Sequence, residues 1–168
     1  MKTYHSSDHL GWWVGGISAV ATVAIFGFVA VSTKTPSYAD KTNRELATLC
    51  SSNMAETFHI HPNLSIVIND KKEEIPASIG IYGTCMTPLH THDNTGKLHI
   101  EAPEKRDFTL GDFFAVWNKP FDRTQILDYK VDTTHLLQET VNGKEVPDFE
   151  NTILHDNDQI VITYTEKK

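Results

Sequence analysis

Phe58 to Asn69 reads FHIHPNLSIVIN, and its alternation decides the fold class. Phe58, Ile60, Leu64, Ile66 and Ile68 fall on one parity; His59, His61, Asn63, Ser65 and Val67 fall on the other. Successive side chains of a strand point to opposite faces, so this is a half-buried strand with an apolar inner face. Pro62 cannot donate to a ladder and bends or breaks the strand there.

The same pattern extends outward. Asn69-Asp70-Lys71-Lys72 is a turn, and Ile75 to Ile81 is expected to return as a second strand. Leu89–His92 and Lys97–Glu101 flank Asp93-Asn94-Thr95-Gly96, a hairpin by composition. Thr109 to Trp117 (TLGDFFAVW) predicts a helix capped by Thr109, with Leu110, Phe113, Phe114 and Trp117 at helical spacing. Asn142-Gly143 marks a further hairpin, and Asp156-Asn157-Asp158 leads into a last strand, Gln159 to Tyr164. These elements predict an α+β domain, one helix packed on a mixed sheet, over residues 58–168.

Before that domain, Leu10 to Ser32 runs 23 residues without a charge, long enough for one helix to cross a bilayer. Trp12 and Trp13 stand at its start, where amphipathic rings favour the membrane–water boundary. A secretory signal peptide is the alternative, with Ser37-Tyr38-Ala39 as a small-x-small cleavage site, but the run exceeds a signal core of about 7–15 residues. The expected organisation is a short tail over 1–9, a transmembrane helix or uncleaved signal anchor over 10–32, a tether over 33–57 containing a short helix capped by Thr42 or Asn43, and the 58–168 domain outside the cytoplasm. The bilayer is the first expected partner. From Asp40 onward there are 13 Lys+Arg and 21 Asp+Glu. So acidic a domain excludes nucleic acid as a partner, because phosphate contacts need Lys and Arg.

Five of the nine histidines lie in two stretches, Phe58–Asn69 and Cys85–Glu101. Residues i and i+2 of a strand share a face, which pairs His59 with His61, His90 with His92, and His99 with Glu101. Centring the hairpin turn between Asn94 and Thr95 sets Asp93 opposite Gly96, His92 opposite Lys97, and His90 opposite His99. The neighbouring parity is apolar (Leu89, Leu98, Ile100), so the histidines are expected on the face away from the core. Imidazoles grouped with a carboxylate form a ligand set for copper or zinc. His90, His99, His92, His59, His61 and Glu101 are the candidate ligands, with Asp93, Glu101 or Thr91 orienting the rings. The alternatives are ordinary surface histidines and a proton-linked switch.

Cys50 and Cys85 are the only cysteines. An even count in an oxidising compartment suggests a disulfide. The rival reading makes Cys85 and Met86 soft metal ligands beside the histidines.

Four segments, His59–His61, His90 to Asp93 (HTHD), Gly96 to Pro103 (GKLHIEAP) and Phe108 to Trp117 (FTLGDFFAVW), together resemble a loosely defined group of uncharacterised exported or membrane-anchored bacterial and archaeal proteins. That resemblance implies one intact domain and no particular activity. The C-terminal VNGKEVPDFENTILHDNDQIVITY resembles the closing part of β-grasp domains. The expected function is a membrane-anchored, extracytoplasmic domain that binds copper or zinc in a binding or accessory role rather than a catalytic one. The alternatives are an interaction subunit of a membrane-protein complex with no metal, and a metal-dependent hydrolase or hydratase with Glu101 as general base.

Overall fold

The computed structural model describes residues 38–53 and 56–167. The expected tail over 1–9 and transmembrane helix over 10–32 lie outside the described residues. Among the described residues no helix is long and apolar enough to cross a membrane.

The described elements are α1 (Asn43–Ala47), β1 (Phe58–Ile60), β2 (Asn63–Ile68), β3 (Lys71–Glu73), β4 (Ile81–Tyr82), β5 (Cys85–Met86), β6 (Leu89–His90), β7 (His99–Ala102), α2 (Leu110–Trp117), β8 (Phe121–Asp122), β9 (Gln125–Ile126), β10 (Tyr129–Lys130), β11 (His135–Val141), β12 (Lys144–Glu145), a 3-10 turn (Phe149–Asn151) and β13 (Gln159–Glu166). The domain is α+β.

Its larger sheet has five strands in the order β12-β11-β13-β2-β3. β2 and β13 lie parallel at its centre; the other pairs are antiparallel. Period-two apolar residues set this register. Leu64 faces Ile160, Ile66 faces Ile162, and Ile68 faces Tyr164, and all six side chains are buried. A parallel pair needs a long crossover, and here the crossover carries α2 and two strands, β6 and β7, of a second, smaller sheet. The two hairpins of the large sheet close on left-handed residues: Asn69 and Asp70 (φ 49° and 66°), and Asn142 and Gly143 (φ 53° and 77°). Positive φ at both central residues gives the turn the twist of its flanking strands.

α2 begins where Thr109 caps it. The Thr109 side chain accepts from the Asp112 amide while the Asp112 carboxylate accepts from the Thr109 amide. The helix buries Leu110, Phe113, Phe114 and Val116, and Phe114 stacks on Phe121 with ring centroids 4.4 Å apart. Asn118 ends it in the left-handed conformation.

Two expectations need correction. Of the segment read as a tether over 33–57, the described residues 38–53 are folded onto the domain. Thr42 caps α1, Leu46 and Ala47 are fully buried, Arg44 Nε donates to Asp112 Oδ1 at 2.7 Å, and Cys50 is bonded to Cys85. A short apolar pair and one arginine carried that signal, too little for periodicity to register. The strand expected over Ile75–Ile81 is absent. Pro76 lacks a ladder donor, Ser78 and Gly80 take positive φ, and the return strand is instead the three-residue β3.

Candidate metal centre

The histidines stand on the second sheet, three strands in the order β1-β7-β6. Phe58 to Asn69 bends at His61-Pro62, so its first half joins this sheet and its second half the large one. The bend is pinned: the His61 amide donates to Asp156 Oδ1 at 2.8 Å, and its carbonyl accepts from the Asn157 amide at 3.2 Å. β1 pairs with β7, setting His59 opposite Glu101. β6 pairs with the other edge of β7, setting His90 opposite His99. Leu89, Ile100 and Ala102 fill the core face of this sheet.

The ladder stops at His90 and His99. His92 is not paired with Lys97, as the turn centring predicts; residues 91–98 form a loop that β2 captures. The Leu64 amide donates to the Gly96 carbonyl at 2.8 Å, and the Leu98 amide to the Pro62 carbonyl at 2.9 Å. A Cβ at Gly96 would lie 2.2 Å from the Leu64 carbonyl oxygen, and φ there is +91°, so only glycine fits. Within the loop, Asp93 accepts from the Thr95 amide and hydroxyl at 2.9 and 2.5 Å. Thr91 is buried, accepts from the Ile79 amide and donates to the Pro76 carbonyl. Asp93 and Thr91 therefore shape the loop and do not orient the imidazoles; among those three residues only Glu101 meets them.

This loop folds His92 back onto the sheet. Its Nε2 lies 3.2 Å from His90 Nε2, and its ring is edge-on to His99 with centroids 4.5 Å apart. The His90 and His99 rings stack at 5.4 Å, the His61 and His99 rings meet at 4.6 Å, and the His59 and His61 rings at 4.5 Å. Glu101 Oε1 is 3.0 Å from His59 Nε2 and 3.5 Å from His99 Nδ1; Oε2 is 3.9 Å from His90 Nε2. Ligand atoms of His90, His92, His99 and Glu101 all lie within 4.8 Å of one another, as do those of His59, His61 and His99. All six expected residues are thus gathered.

The face away from the core is not the solvated surface that the alternation implies. His90 is fully buried, and the His99 and Glu101 side chains are 18% and 11% exposed, while His59 is 46% exposed. Burial pushes the His90 imidazole down to about 4, against the opposing pull of Glu101 and of the Thr87 carbonyl. His99 is also held below the ordinary histidine range, first by burial, then by the neighbouring His92 and His61. Neutral imidazole is the form that ligates metal.

Two further features suit a ligand set. His90 Nδ1–H points at the Thr87 carbonyl, 3.0 Å away. A donor bond from one ring nitrogen fixes the tautomer and leaves the lone pair on the other, here Nε2. His99 Nδ1 is buried, and its 3.5 Å contact with Glu101 Oε1 lacks hydrogen-bond geometry; a buried polar atom so weakly satisfied is costly. The 3.2 Å between the two Nε2 atoms is close to the roughly 3.3 Å edge of a tetrahedron with Zn–N bonds near 2.0–2.1 Å.

Cys85 is not a thiolate ligand, because it is joined to Cys50 with Cα atoms 5.4 Å apart. Met86 pairs with Ile81 in the β4–β5 ladder. It lines a cleft of about 420 Å³ beside the disulfide, to which Glu101 also contributes. His135 and His155 stand apart: His135 lies 3.2 Å from Asp132 and stacks on Tyr164, and His155 lies 3.2 Å from Asp158.

Comparison of the chain with protein-family models, with curated proteins and with solved structures finds no match. The functional reading rests on this site.

Proposed function

We propose that this protein is a membrane-anchored, extracytoplasmic domain that binds a transition metal, copper or zinc, in a binding or accessory role. One observation carries the reading: five imidazoles and one carboxylate converge on a single sheet face with their ligand atoms a few ångströms apart. Imidazole nitrogens with a carboxylate suit borderline dications such as Zn²⁺ and Cu²⁺. The Cys50–Cys85 disulfide supports an oxidising compartment, and the uncharged run over residues 10–32 supports an anchor. The strand order, with two long strands, β2 and β13, parallel at the centre of a five-stranded sheet, supports a β-grasp domain whose crossover carries the histidine strands β6 and β7, with β1 joining them from just before β2.

Elemental analysis of the purified chain after exposure to Cu²⁺ or Zn²⁺ and desalting tests the reading. At least one ion per chain is expected, with bound metal reduced in His90→Ala and His99→Ala and unchanged in His135→Ala and His155→Ala. Retention of no metal by the wild-type chain, or equal loss in all four variants, would remove it.

A further inference from the structure

Six donors are more than one tetrahedral ion uses. They also do not form one shell. The mutually close atoms fall into two sets, His90, His92, His99 and Glu101 on one side and His59, His61 and His99 on the other. The strands explain the division. β6 and its loop bring His90 and His92 to one edge of β7, and β1 brings His59 and His61 to the opposite edge. β7 runs between them and carries the two residues that face both ways.

Glu101 is one. Its Oε1 lies 3.0 Å from His59 Nε2, and its Oε2 lies 3.9 Å from His90 Nε2. One oxygen addresses each group. A carboxylate so placed can put one oxygen on each of two cations, and protein sites of that kind hold their ions about 3.5–4 Å apart. His99 is the other. It stacks on His90, lies edge-on to both His92 and His61, and keeps a buried Nδ1 without a hydrogen bond.

We propose that the cluster is a two-ion centre: His90 and His92 hold one transition-metal dication, His59 and His61 hold the other, and Glu101 bridges them with His99 completing the shell between. This rests on the metal reading above and adds a stoichiometry and a bridge to it. The two halves differ in access. His90 is fully buried, whereas the His59 side chain is 46% exposed, so the first ion sits enclosed and the second faces solvent. The outer ion is therefore the one that exchanges with small ligands or a metal donor.

Titration of the full chain with Cu²⁺, read by bound copper per chain and by electron paramagnetic resonance, tests this. The expected result is two Cu²⁺ per chain with a magnetically coupled spectrum. His61→Ala and His92→Ala, changes on opposite sides of β7, should each leave one ion and an uncoupled Cu²⁺ signal. His155→Ala should leave both ions and the coupling. A wild-type chain that saturates at one Cu²⁺, with His61→Ala unchanged, would overturn the two-ion centre and leave the metal reading standing. Two ions without coupling would also overturn it, because the second would then lie elsewhere. No bound Cu²⁺ would overturn both.

Discussion

In the five-stranded sheet the inward residues of the central strands are Leu64, Ile66, Ile68, Ile160, Ile162 and Tyr164. In the three-stranded sheet the core face is equally apolar, but the other face buries His90 and nearly buries His99 and Glu101. The first arrangement gains free energy with every apolar side chain removed from water. The second gives up the hydration of ionisable groups, leaves His99 Nδ1 with only a long 3.5 Å contact to Glu101, and gains no comparable apolar area on that face. The large sheet can therefore carry the stability of the domain while the small one carries a polar cluster that is poorly compensated until something binds it.

The difference can be tested by perturbing each region. The largest effect is expected at the link between them and the N-terminal segment. The Cys50–Cys85 bond closes a loop of 35 residues, and in the chain-entropy model opening such a loop costs about 4 kcal/mol. Denaturant unfolding of Cys50→Ala/Cys85→Ala should show a loss of that order. A loss below about 1 kcal/mol would mean that α1 and its arginine hold this segment without the bond.

Next come two opposite responses to pH in the metal-free protein. His90 stays neutral in the folded state down to about 4, while the unfolded chain takes up the proton near 6.5. Its contribution is complete above pH 6.5 and is lost as pH falls from 6.5 to 4. Glu139, in the large sheet, behaves conversely. It is fully buried with both oxygens lacking hydrogen bonds. Burial pushes its carboxyl up to about 7, against the opposing pull of Thr152 and the Phe149 backbone and with the charges of Asp148 and Glu150 adding to the rise. The unfolded carboxyl ionises near 4.5, so stability is lost as pH rises from 4.5 to 7. Each effect is at most roughly 3.5 kcal/mol, because a tenfold change in proton affinity corresponds to about 1.4 kcal/mol. They oppose each other in the wild-type chain. Glu139→Gln should therefore raise stability at pH 8 and leave a net fall toward acid. An unchanged pH profile in that variant would show that Glu139 is not held protonated.

The smallest effects compare single side chains. Ile162→Val should cost about 0.5–1.5 kcal/mol, because Ile162 is fully buried in the large sheet. His92→Ala in metal-free protein should cost less than about 0.5 kcal/mol, since it removes a loop side chain that supports no core. With metal present the order should invert, because binding stabilises the folded state and His92→Ala removes a ligand.

The sequence shows the large sheet well. The turns at Asn69-Asp70 and Asn142-Gly143, the parity of Leu64 to Ile68, and the Thr109 cap all act locally, and each is where its chemistry predicts. The opposition of His90 and His99 was legible for the same reason, since one hairpin sets it. What sequence could not show depends on distant partners. The burial of His90 follows from how His92, His99 and Glu101 gather around it, and the loop that returns His92 is fixed by hydrogen bonds to Pro62 and Leu64, more than thirty residues away. The position of α1 follows from Arg44 meeting Asp112 and from the disulfide. The polar outer face of an alternating strand does not say whether water or other side chains will cover it.

The metal centre can be seen or refuted directly in an anomalous difference map from crystals of the chain grown with Cu²⁺ or Zn²⁺, collected above and below the metal's absorption edge. Peaks are expected within ligand distance of His90 Nε2 and His92 on one side of Glu101, and of His59 and His61 on the other. A map with no peak within about 3 Å of any of these imidazoles, or with its peaks at His135 and His155 instead, would contradict the metal centre.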